Sequence, residues 1–77
     1  MRELLEFLVK GITGSNDFAI EENQDEDRSD FSIQVDPGIF GMVIGKNGKT
    51  IRAIRNLLKV RAILEKRGVN ISVVEKE

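Results

Sequence analysis

Cysteine and histidine are both absent from the 77 residues. That excludes disulfides, the usual zinc sites, cysteine nucleophiles and histidine-based triads. Tryptophan and tyrosine are absent too, leaving four phenylalanines as the aromatic content. Of these, Phe7, Phe18 and Phe31 fit core positions and Phe40 fits core or groove, so no exposed platform for base stacking is visible. No stretch approaches the roughly 20 apolar residues that a membrane-spanning helix needs. The chain opens Met1-Arg2-Glu3 and runs into an amphipathic pattern, unlike a signal peptide, so the expected location is cytoplasmic. Neither a cofactor nor a metal site is expected.

The length suits one domain spanning residues 1–77, with a core too small to give more than modest stability. With disulfides and zinc excluded, a partner subunit is the expected extra support. The net charge of −1 conceals an asymmetry. Residues 1–36 carry ten acids and three bases, whereas residues 37–77 carry nine bases and three acids. The molecule is therefore dipolar, and a pI near 5.5 does not argue against a polyanionic partner.

From Arg2 to about Ile12, residues Leu4, Leu5, Leu8, Val9 and Ile12 recur at helical spacing, and Gly11 and Gly14 mark the end. Two short strands are expected at Asp17–Glu22 and Phe31–Val35, the second alternating Phe31, Ile33 and Val35 against Ser32 and Gln34. Between them, Asn23 to Asp30 reads as an exposed acidic hairpin loop. Asp36-Pro37-Gly38 is a break, a short helix covers Ile39–Ile44, and a long one runs from after Gly48 to about Lys66. Past Gly68, Val69–Glu75 alternates as a last strand. The fold class is α+β, in the order helix, strand, strand, helix, helix, strand. The first two strands pair antiparallel, and the last joins the second in parallel by a right-handed crossover, giving a three-stranded mixed sheet with helices on one face.

The segment Val43-Ile44-Gly45-Lys46-Asn47-Gly48-Lys49-Thr50-Ile51 carries the functional signal. Glycines at both edges permit a sharp turn and remove the Cβ atoms that would hold a phosphate away. Free loop N–H groups and the start of the next helix offer positive potential, to which Lys46 and Lys49 add. Gly48-Lys49-Thr50 also looks like the tail of a nucleotide-binding P-loop. That motif needs glycine at position 43, where Val43 stands, and a preceding strand, so ATP binding is discarded.

An apolar pair, G-x-x-G and a further apolar residue three positions on resemble the signature of KH domains, and the element order resembles the type II arrangement found in bacteria. The length, the opening Arg2-Glu3-Leu4-Leu5-Glu6-Phe7-Leu8-Val9-Lys10 and the run Val43–Leu57 are similar to the small stand-alone bacterial KH proteins of the KhpA type. Ile51, where that family often carries alanine, and the acidic loop are departures. The resemblance implies a cytoplasmic, dimeric, RNA-binding protein, pairing with itself or with a KhpB/Jag-like KH protein. It implies that Gly45, Lys46, Asn47 and Gly48 clamp the backbone of about four nucleotides of single-stranded RNA. Ile44, Ile51 and Val35 would then help form the adjoining groove.

On the long helix, Lys49, Arg52, Arg55, Lys59 and Lys66 fall within about 120° of one another. Lys49 and Arg52, nearest the loop, are assigned to the RNA site, and Arg55 and Lys59 are further candidate phosphate contacts. Ile51, Ile54, Leu57, Leu58, Ala62 and Leu64 occupy the other side. Val60 at the edge of that arc, Arg61 within it and Ile63 in the basic face do not fit the amphipathic scheme. They are the candidate dimer interface.

The first function expected is sequence-tolerant binding of single-stranded RNA, in the manner of an RNA chaperone or post-transcriptional regulator. Single-stranded DNA stays open beside it, because no residue is placed to read the 2′-OH. The alternative is a KH-scaffold interaction module acting mainly through homo- or hetero-dimerisation. An enzyme is not expected, since the acids cluster in one loop without a nucleophile or ligand set, and no small-molecule substrate is implied.

Overall fold

The computed structural model describes residues 1–76. The chain order is α1 (Arg2–Thr13), β1 (Phe18–Gln24), β2 (Arg28–Val35), α2 (Pro37–Ile44), a 3₁₀ turn (Lys46–Gly48), α3 (Lys49–Leu64) and β3 (Gly68–Glu75). The sheet order is β1-β2-β3. β1 pairs antiparallel with β2, with Ile20 opposite Ile33, and β2 pairs parallel with β3, with Phe31 opposite Ile71.

The central strand explains this arrangement. Phe31, Ile33 and Val35 are buried and alternate with the half-buried Ser32 and Gln34, so one face of β2 meets the helices and the other stays open. Burial of each such side chain contributes about 1.5–3 kcal/mol. From the helical layer come Leu5 and Val9 of α1, Val43 of α2, and Ile51, Ile54 and Leu58 of α3. Arg2 ties α1 to the sheet, donating to the Ile20 carbonyl at 2.7 Å. No buried side-chain nitrogen or oxygen lacks a partner among the described residues. None of the described helices is long and apolar enough to cross a membrane.

Four sequence expectations need correction. The span Asn23–Asp30 is not a loop: β1 reaches Gln24 and β2 begins at Arg28, leaving a tight turn of Asp25, Glu26 and Asp27. β2 extends because β3 pairs along its whole length, from Arg28 opposite Gly68 onward. Helix α2 begins at Pro37 rather than Ile39. Asp36 caps it by accepting the Gly38 N–H at 2.9 Å, and proline at the first helical position lacks only a donor that would be unpaired there. Phe7, expected in the core, is 73% exposed, because α1 turns Leu5 and Val9 inward and leaves Phe7 on the opposite side. Leu57 and Leu64, expected on the packed side of α3, are also exposed, since the buried stripe is Ile51, Ile54, Leu58 and Ala62.

Candidate nucleic-acid interface

Helix α2 ends at Gly45, whose N–H donates to the Gly41 carbonyl at 2.8 Å and whose backbone lies at φ +77°, ψ 168°. A Cβ there would run into the Thr50 side chain and lie 2.7 Å from the Thr50 backbone nitrogen. Glycine is thus required twice, by the positive φ and by the packing of the chain against the first turn of α3. Asn47 (φ +57°) and Gly48 (φ +73°) continue the left-handed path, but a Cβ at Gly48 meets only the Ile51 Cγ2 at 4.0 Å, an ordinary contact. Asparagine is among the few residues that adopt this conformation readily.

The hydrogen bonding of this turn is one-sided. Every one of its four carbonyls has a donor. Gly45 accepts from the Gly48 N–H at 3.0 Å, and Lys46 accepts from the Lys49 N–H. Asn47 accepts from Arg52 Nη2 at 2.6 Å, and Gly48 from Arg52 Nε at 3.2 Å. In contrast, the N–H groups of Lys46 and Asn47 have no acceptor among the described residues. A trans peptide directs its C=O and N–H to opposite sides. Turning the Gly45 and Lys46 carbonyls inward therefore presents the Lys46 and Asn47 N–H groups away from them. The Lys46, Asn47 and Lys49 side chains are exposed around these donors. Neither lysine is ion-paired among the described residues. The result is a small electropositive surface that matches the oxygens of an anionic backbone.

The remaining candidate residues divide by burial and by partner. Ile44 is half-buried beside the turn and accessible. Val35 and Ile51 are core residues rather than groove walls, 0% and 5% exposed. Val35 lies on the packed face of the central strand, and Ile51 on the buried stripe of α3. Arg55 is engaged elsewhere: its Nε and Nη2 donate to the Ile71 carbonyl of edge strand β3 at 3.3 and 3.2 Å. Lys59 is exposed and without an ion pair among the described residues. Val60 and Ile63 are exposed, and Arg61 pairs with Glu65 one turn on, at 3.0 Å.

One residue that matters was not singled out from the sequence. Arg67 donates to the Glu26 carbonyl at 2.9 Å, to the Arg28 carbonyl at 2.8 Å, to the Asp25 carbonyl, and to the buried Ser29 hydroxyl at 3.2 Å. It holds the acidic hairpin turn against the start of β3. These acceptors lie about forty residues earlier in the chain, and no local signal marks the pairing.

Helix–strand–strand–helix–helix–strand order, the mixed sheet and the G-x-x-G turn between the paired helices define a type II KH domain. A family model described as the KhpA/KhpB KH domain matches residues 2–74. The chain belongs to that family, which is one of RNA-binding KH proteins rather than enzymes. It is 32% identical over 75 residues to the RNA-binding protein KhpA of Clostridium perfringens, covering 96% of this chain and 100% of that one. To KhpA of Caldanaerobacter subterraneus it is 34% identical over 76 residues, covering 96% and 100%. KhpA of Streptomyces coelicolor is 34% identical over 76 residues, with 97% and 92% covered.

Among solved structures, Era in complex with MgGDPNP and nucleotides 1506–1542 of 16S ribosomal RNA superposes with a TM-score of 0.73 at 17% identity. The match covers 96% of this chain and 30% of that one, so the chain spans less than a third of the protein it resembles, and the likeness is one of fold.

Proposed function

We propose that residues 1–77 form one RNA-binding KH domain that grips the backbone of single-stranded RNA with the Gly45–Gly48 turn. The observation that carries this reading is the one-sided turn itself, with two donors open and every carbonyl occupied. The Lys46 and Asn47 N–H groups meet phosphate oxygens, Lys46 and Lys49 supply charge, and Ile44 offers an apolar contact to the adjoining base. Named relatives that bind RNA support the reading. With no aromatic residue in the stretch 41–52 that forms and flanks the turn, recognition is mostly of the backbone and tolerant of sequence, as suits an RNA chaperone or post-transcriptional regulator acting in the cytoplasm.

The experiment is a titration of a short labelled single-stranded RNA with the wild type and the Lys46→Asp, Asn47→Asp double variant at two salt concentrations. Binding by the wild type weakens with salt, and the folded double variant loses affinity on the order of 100-fold, about 2.7 kcal/mol. Equal binding by both proteins contradicts the assignment.

A second activity rests on α3. Leu57, Val60, Ile63 and Leu64 are all exposed, the last two 74% so. Leu57, Val60 and Leu64 repeat at the spacing of a helix-pairing seam. This face joins the chain to a second copy or to the KH domain of a KhpB/Jag-like protein, with Arg61 at the seam's edge. Two coupled domains hold RNA more tightly through effective concentration. Val60→Asp reduces the mass measured by light scattering to that of one chain; a wild type already at that mass removes the homodimer.

A further inference from the structure

Arg52 was assigned from the sequence as a phosphate contact because it is basic and one helical turn beyond Gly48. Its geometry indicates a different task. A helical side chain leans toward the N-terminus of its helix, so a long residue in the first turn of α3 reaches back over the chain that enters it. The Arg52 guanidinium does so, placing Nη2 2.6 Å from the Asn47 carbonyl and Nε 3.2 Å from the Gly48 carbonyl. Two donors of one planar fork thereby hold two successive carbonyls, which a single ammonium does not match in geometry.

The Gly48 carbonyl, at the N-cap of α3, is also where the backbone bonding of the helix begins, whereas the Asn47 carbonyl precedes the helix and takes its donor from the Arg52 side chain. The other two are engaged by the Gly48 and Lys49 N–H groups. Without Arg52, the partial negative charge of the Asn47 carbonyl would stand beside the donors of Lys46 and Asn47, and the left-handed Asn47 would lose the side-chain bond that anchors its peptide. We propose that Arg52 is a positioning residue: it locks the G-x-x-G turn in its donor-out conformation and masks the turn's carbonyls from the RNA backbone. This rests on the RNA-binding reading for its purpose, while the locking of the turn stands independently of any ligand.

The two roles separate by experiment. Arg52→Lys keeps the charge and loses the fork; Arg52→Gln keeps a donor and loses the charge. The first readout needs no RNA: steady-state heteronuclear NOE values for residues 46–48, with sheet amides as the control for folding. Arg52→Lys lowers the values in the turn and leaves the sheet unchanged. The second readout is affinity for a short single-stranded RNA across a salt series. Positioning predicts that Arg52→Lys weakens binding about fivefold to tenfold. It also predicts that the salt slope stays that of the wild type in both variants.

Direct phosphate contact predicts the opposite pattern. Arg52→Lys would then bind as the wild type does, and Arg52→Gln would lower the slope by about 0.7. That pattern, or an unchanged turn in Arg52→Lys, overturns the proposal. If the wild type binds no RNA, the functional reading fails, and the relaxation measurement still decides whether Arg52 orders the turn.

Discussion

Two tight turns at different places in this fold are built on the same device and carry opposite chemistry. In the Gly45–Gly48 turn, Arg52 holds two backbone carbonyls; in the Asp25–Asp27 turn, Arg67 holds three and the Ser29 hydroxyl besides. In both, a guanidinium ties carbonyl oxygens to the body of the protein. The side chains that remain exposed then decide what each turn can meet. Around the first stand Lys46, Asn47 and Lys49 with two open N–H groups; around the second stand two aspartates and a glutamate. Only the first turn suits an anion. The charge asymmetry between the two halves of the sequence thus becomes a contrast between two arginine-braced turns.

Breaking the two turns should have graded consequences. Gly45→Ala has the largest. Its Cβ collides with Thr50 at a positive φ, so a urea melt should show a loss of about 3 kcal/mol or more, close to all the stability a domain this small has. Gly48→Ala shares the positive φ but makes only an ordinary contact with Ile51, and should cost only about 1 kcal/mol. A similar loss at both positions would show that the approach to Thr50 is unimportant.

Next comes Arg67→Ala. It removes the donors for four acceptors that join the hairpin to the start of β3, and should cost about 2 kcal/mol in the same melt. RNA affinity of the folded fraction should not change. A loss of affinity in that fraction would mean the two turns are coupled.

The smallest effect belongs to the acids themselves. Asp25→Asn, Glu26→Gln and Asp27→Asn together should change stability by no more than about 0.5 kcal/mol, because their side chains are exposed and without ion pairs among the described residues. At low salt, RNA association should quicken by less than about threefold, and the gain should vanish as salt rises. A larger gain persisting at high salt would place RNA against the hairpin.

The element order was legible from periodicity because β2 alternates strictly and the helices carry clear apolar stripes. Phe31, Ile33 and Val35 on one face were enough to orient the sheet. The hairpin was not legible. Asn23–Asp30 is polar throughout and suggests a loop, yet β3, far along the chain, draws its second half into pairing. Tertiary pairing there overrides local composition.

For the candidate site, the turn could be located from its glycines, but the occupation of its basic neighbours could not. Lys46, Lys49, Arg52 and Arg55 are alike as positive charges in a sequence. In the structure the lysines are open, whereas Arg52 serves the turn and Arg55 the Ile71 carbonyl of β3. Apolar neighbours divide in the same way. Ile44 remains accessible, but Val35 and Ile51 are drawn into the core, since a residue at an inward strand position or on the packed stripe of a helix is first of all a core residue.

The most direct test is a titration of the ¹⁵N-labelled protein with a short single-stranded RNA, following every backbone amide by NMR. The account predicts that the largest shifts fall on the Lys46 and Asn47 amides, the two donors left open, with Gly48 and Lys49 following and the Asp25–Asp27 amides still. Shifts centred on the hairpin or on the open face of the sheet, with residues 45–49 unmoved, would contradict it.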